Sequence, residues 1–256
     1  MELNNHKEAI REFLYKMADD QLIIGHRNSE WTGLGPLMEE DIAFSSMAQD
    51  KLGHALALYT ILHEQLGEKD QDTIAFTRNE KEFRCCHLVE YPIGEYDFSL
   101  IRHFLFDTAE HLRFEMLSGS AFEPLAQVAR KIKGEIKYHV LHAQIWVKQL
   151  GSATAESSAR MQSALNNTMP LALGIFEPSP FEQELIENGI FAGEQELRNR
   201  WLEAISVTIE EAGLAMPDIN SLTPAFGGRQ GYHTEYLQPL LDEMTEVFRI
   251  DPTVEW

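Results

Sequence analysis

Apolar residues recur in steps of three and four along nearly the whole of this 256-residue chain. A period of 3.6 places such residues on one helix face, whereas half-buried strands alternate at every second position. The pattern predicts helices over about residues 6–28, 37–66, 98–118, 122–150, 155–176, 194–214 and 233–249. Gly67 and Gly151 read as the ends of the second and fourth helices, and Pro178 and Pro180 as the stop of the fifth. The segment 68–97 breaks the periodicity and is too long for a simple turn. It reads as a short helix or an extended pair, and it suits a bundle with a long crossover between its second and third helices. No convincing strand alternation or low-complexity linker is visible. The expectation is all-α: one domain over 1–256, with a core bundle at about 6–150 and additional helices over about 155–256.

Charge narrows the function classes. The chain has 21 Lys+Arg against 41 Asp+Glu, a formal charge of −20. Phosphate backbones and anionic lipid surfaces need clustered cations, so neither nucleic acid nor a membrane surface is an expected partner. No run of about 18 apolar residues offers a membrane span. The start, MELNNHKEAIREF, lacks the basic and apolar regions of a signal peptide. The two cysteines, Cys85 and Cys86, are adjacent and imply neither a disulfide framework nor a CxxC metal motif. A cytoplasmic protein is expected.

The informative residues are polar ones on otherwise apolar stripes. The stripe of the first helix, Ile10, Leu14, Met17 and Ile24, passes through Gln21. The second, with Phe44, Met47, Ala48, Ala55 and Leu58, passes through Lys51 and His54. The third carries Asp107 and His111 among Leu100, Phe104 and Phe114. The fourth, with Leu125, Ala129, Ile132, Ala143 and Trp146, passes through Ile136 and His139. Buried polar groups must find partners, so these side chains are expected to meet.

Ferritin-like di-iron bundles have this form: one Glu from each of two helices and Glu-x-x-His from each of the other two. The i,i+3 spacing puts both ligands on one face. Tested here, the pattern yields Gln21, Lys51-x-x-His54, Asp107 and Ile136-x-x-His139. Both histidines are present, but of four carboxylates only the shorter Asp107 survives; Glu135 is one position off the stripe. A lysine ammonium repels a cation and isoleucine offers no lone pair. Two imidazoles and one carboxylate could hold at most one weakly bound ion. A Lys51–Asp107 ion pair in place of metal is expected, completed by His54, His139 and Gln21. His103 and His111 read as polar packing or surface residues. "GGRQGYHTEY", with Arg229 and His233, reads as a structural turn in preference to a CoA-phosphate contact.

The stretches "GHRNSEWTGLGPLMEEDIAFSSMAQDKLGHA", "DTIAFTRNEKEF", "EIKYHVLHAQIWVKQLG" and "GGRQGYHTEYLQPLLDEM" resemble the phenylacetic acid catabolic proteins over nearly the whole chain. That family has two ferritin-like members. One, the A subunit of a phenylacetyl-CoA ring 1,2-epoxidase, carries a di-iron centre. The other is a degenerate paralogue that packs against it, and this chain is closer to that one. In the catalytic member the second-helix motif lies in a "DEAGH"-like stretch; here it is "DKLGH", so Lys51 takes the glutamate position and His54 is retained. Ile136 takes the other motif glutamate before His139, and Gln21 and Asp107 match the isolated glutamates. The resemblance implies a structural, non-catalytic subunit of a multicomponent monooxygenase in aromatic degradation. It implies no catalytic residue and no metal or other cofactor in this chain, di-iron in the partner subunit, and the A subunit and other complex components as partners. A homodimer in isolation, a metal-dependent oxygenase in its own right, and a bundle scaffold outside this pathway are the alternatives.

Overall fold

The computed structural model describes residues 6–251; the two ends of the expected domain, 1–5 and 252–256, lie outside the described residues. Ten α-helices and several 3-10 turns, with no strand, form the described residues, so the all-α expectation for a ferritin-like chain holds. The backbone groups into two compact units. One comprises residues 6–10 and 93–226, the other 11–92 and 227–251.

In the first unit α5 (Tyr96–Leu117) packs against α6 (Glu123–Ala153), α7 (Ala155–Leu173) and α9 (Glu194–Glu211). Every residue of α5 from Ser99 to Glu110 is buried, so this stretch of the helix has no solvent face. Its polar side chains must therefore be satisfied inside. Arg113 illustrates how: it donates to Glu110 one turn back at 2.8 Å and to Glu194 of α9 at 2.6 Å. Trp201 of α9 donates its indole N–H to the Leu105 carbonyl at 2.9 Å. The short α8 (Glu182–Glu187), not expected from the sequence, is opened by Ser179, whose hydroxyl accepts from Phe181 N–H.

Two boundaries differ from expectation for reasons visible in the packing. Gly151 does not end α6, which runs on to Ala153. A Cβ at Gly151 would lie 2.5 Å from the Ala212 carbonyl oxygen, so the glycine serves close approach, not termination. The helix stops where Thr154 turns to an extended conformation and caps α7 through a reciprocal hydrogen-bond pair with Ser157. Trp146, expected inward, is half-buried, and Val147 beside it takes the fully buried place.

In the second unit α1 (Lys7–Ser29), from Arg11 onward, pairs with α2 (Met38–Leu66). A Cβ at Gly25 would stand 3.2 Å from Lys51 Cβ and 3.1 Å from Leu52, so the helices approach closely there. Gly67, in the left-handed conformation at φ +68°, caps α2 as expected. The irregular stretch after it contains α3 (Gln71–Thr77), a 3-10 turn at Glu80–Glu82 and α4 (His87–Glu90), so the extended-pair alternative does not occur.

Two adjacent buried acids of α1 organise that stretch. Asp19 accepts from both terminal nitrogens of Arg78 at 3.0 and 2.5 Å, from the Tyr59 hydroxyl at 2.6 Å and from Arg84 N–H at 2.7 Å. Asp20 accepts from Cys86 N–H at 2.8 Å and, in a two-pronged pair, from Arg229 at 2.8 and 2.7 Å. Arg229 also donates to the Lys16 and Arg84 carbonyls, which makes the glycine-rich loop a structural turn, as its sequence suggested. The last helix, α10 (Leu237–Ile250), starts four residues later than expected because His233 and Thr234 are engaged by Glu90 and the Tyr236 carbonyl accepts from Arg27. It packs on α3, with Phe248 against Phe76.

Candidate functional site

The sequence-predicted positions fall into two groups, each within one unit. In the first unit α5 supplies Asp107 and α6 supplies Ile136 and His139, all buried. Helix geometry brings in two more imidazoles. His103 lies one turn before Asp107 on α5, and His142 one turn after His139 on α6. His103 Nδ1 is 2.5 Å from Asp107 Oδ2, and His139 Nδ1 is 3.8 Å from the same oxygen. The His103 ring centroid is 6.2 Å from that of His139 and 5.6 Å from that of His142. One carboxylate and three imidazoles thus gather at the α5–α6 seam, with the hydrocarbon of Ile136 one turn before His139.

Of the two readings for His103, polar packing and surface, the buried polar one holds: it is the nearer of the two imidazole partners of Asp107. The signal that could have found it is the i,i+4 spacing to an inward acid. His111, one turn beyond Asp107, is only half-buried. Burial, with Lys133 nearby, lowers the proton affinity of its imidazole.

In the second unit Gln21 of α1 and Lys51 and His54 of α2 are all buried. Lys51 Cβ approaches Gly25, one turn after Gln21, which sets Lys51 on the α2 face turned toward α1. The stripe argument thus placed all six positions correctly as interior.

The donor chemistry does not fit a dimetal pair. Ile136 offers no lone pair, Lys51 brings an ammonium to a ligand position, and Asp107 Oδ2 already lies within hydrogen-bond distance of His103. Among the described residues, the His/Cys/Asp/Glu group whose ligand atoms all converge within 4.8 Å lies elsewhere, at Cys85, Glu90 and His233. No catalytic step through a di-iron centre is derived for this chain.

These features define a class: all-α chains whose buried positions have the spacing of a dimetal-carboxylate bundle but carry Lys51 and Ile136 where that pattern has carboxylates. The chain belongs to the phenylacetic acid catabolic protein family, whose model matches residues 1–256. It is 32% identical over 244 residues to the C subunit of the 1,2-phenylacetyl-CoA epoxidase of Escherichia coli (strain K12), covering 95% of this chain and 98% of that protein. No helix among the described residues is long and apolar enough to cross a membrane.

Proposed function

We propose that this chain is the structural, non-catalytic subunit of a phenylacetyl-CoA 1,2-epoxidase in aerobic phenylacetate breakdown. It packs as one ferritin-like domain against a catalytic A subunit that holds the di-iron centre and performs the ring epoxidation. The chain binds no iron pair of its own, works in the cytoplasm with the other complex components, and self-associates when its partner is withheld. The observation that carries the non-catalytic reading is the pair of buried replacements, Lys51 and Ile136, at positions where the dimetal pattern requires carboxylates. The near full-length likeness to a protein named as the C subunit of the epoxidase supports the place in a complex. One face of α6 adds support, because it exposes Tyr138, Leu141 and Ile145 at i, i+3 and i+7. Apolar surface of that spacing suits a second helical protein.

Reconstitution tests the reading. The catalytic subunit and its reductase are assayed for phenylacetyl-CoA epoxidation with and without this chain. Activity that needs the chain, in a stable complex with the catalytic subunit, is the expected result. Epoxidation by this chain and the reductase alone would instead make it an oxygenase in its own right.

A further inference from the structure

A second buried group of ligands, separate in its residues from the Asp107 cluster, assembles wholly within the second unit. Cys85 precedes α4, Glu90 is the last residue of α4, and His233 comes from the turn before α10, 148 positions from Cys85. Cys85 and the side chains of Glu90 and His233 are each at most 1% exposed. Three atoms face one another: Cys85 Sγ to Glu90 Oε1 is 3.7 Å, Cys85 Sγ to His233 Nδ1 is 3.9 Å, and His233 Nδ1 to Glu90 Oε1 is 2.7 Å.

Those three edges define a triangle whose centre lies about 2.0 Å from every corner, close to the roughly 2.0–2.3 Å at which zinc binds imidazole, carboxylate and thiolate. The surroundings orient His233 and Glu90 as a metal would need. His233 Nε2 donates to the Phe83 carbonyl at 3.2 Å, which directs Nδ1 inward. Thr234 holds the outer carboxylate oxygen, its backbone N–H and its hydroxyl donating to Glu90 Oε2 at 2.7 and 2.6 Å. The loop reaches this place through two glycines in positive-φ conformations, Gly227 at +126° and Gly231 at +81°. A side chain at Gly228 between them would collide with the Cys85 carbonyl.

We propose that Cys85, Glu90 and His233 form a binding site for one divalent transition-metal ion, zinc by preference, with the fourth position taken by water. A thiolate and an imidazole with one carboxylate select a borderline ion over magnesium or calcium. The site would fasten the turn before α10 to the α4 segment, a structural role independent of the epoxidase assignment.

Without metal, the 2.7 Å contact between His233 Nδ1 and Glu90 Oε1 needs one proton, since each atom otherwise only accepts. A buried thiol with no metal stays S–H, and Cys85 Sγ faces Glu90 Oε1 at 3.7 Å as its donor, so it carries a second. A dication displaces both: the S–H proton and the proton between His233 and Glu90 leave to solvent, and Sγ, Nδ1 and Oε1 become ligands. Two unit charges leave and two arrive, so the buried group keeps its net charge, and no uncompensated charge is created in the interior.

The test uses the full chain, stripped with a chelator and titrated with Co2+ as a spectroscopic substitute for zinc. One cobalt per chain is expected, with a thiolate-to-cobalt charge-transfer band, two protons released per ion in weakly buffered solution, and displacement by zinc. Cys85→Ser should abolish the charge-transfer band and His233→Gln should weaken binding at least tenfold. Cys86→Ser should leave the band intact. Absence of the band in the wild-type chain overturns the proposal whatever the variants do, and so does a band that survives Cys85→Ser.

Discussion

His103 and Asp107 sit one turn apart on a helix stretch with no solvent face, and the imidazole Nδ1 lies 2.5 Å from the carboxylate Oδ2. A carboxylate on the inward stripe is the close ionic partner of an imidazole on its own helix. Removing it should therefore be a stability lesion. Asp107→Ala leaves buried imidazoles without that carboxylate, and a loss of about 3 kcal/mol is expected on the scale of broken buried pairs. Asp107→Asn, which keeps shape and an acceptor oxygen, should lose less. Urea unfolding midpoints of the two variants check the order; equal stability of Asp107→Ala and wild type would remove Asp107 from the packing account.

The fork between Arg229 and Asp20 spans 209 positions and closes the C-terminal segment onto α1. Arg229→Met strands a buried carboxylate and should cost about 3–5 kcal/mol. Adding Asp20→Leu removes the stranded charge, so the double variant should be more stable than Arg229→Met alone. The comparison is read from unfolding free energies, together with proteolysis of the segment 227–236.

Gly151 is a packing glycine. Alanine is the better former of a helix interior by about 1 kcal/mol, so a glycine inside α6 with open space around it would gain from replacement. With the Ala212 carbonyl 2.5 Å from the new Cβ, Gly151→Ala should instead lose about 1–3 kcal/mol by overpacking. Thermal or urea denaturation gives the sign directly.

Burial, with Arg27 beside it, lowers the pKa of His26 from 6.5 to about 4. Between those values the unfolded chain takes up a proton that the folded chain refuses. Stability from this residue is thus complete above the unfolded value and falls as pH drops toward the folded one, by no more than about 3 kcal/mol. Unfolding measured from neutral pH down to pH about 4.5 should show this slope, and His26→Gln should flatten it.

Much of this was legible from periodicity. The apolar stripes placed Gln21, Lys51, His54, Asp107, Ile136 and His139 in the interior, where all six lie. The ends of α1, α2 and α5 follow from the same pattern within two residues. Local signals misled where tertiary contact overrode them: Gly151 has the look of a cap but is a close-approach position, and residues 233–236 continue a helical pattern but are held by Glu90 and Arg27. His103 was legible as polar packing, but not its pairing with Asp107, because the metal-ligand pattern is spaced i,i+3 and this pair is spaced i,i+4. The Cys85–Glu90–His233 group had no readable spacing, because its members meet only through folding of the glycine-rich turn.

The central claim is that the dimetal positions of this chain no longer hold a metal pair. Iron analysis of the purified chain after anaerobic loading with excess ferrous ion and removal of unbound metal tests it most directly. The account predicts no more than the one ion that Cys85, Glu90 and His233 can hold, unchanged by Asp107→Ala; about two equivalents, lost on Asp107→Ala, would contradict it.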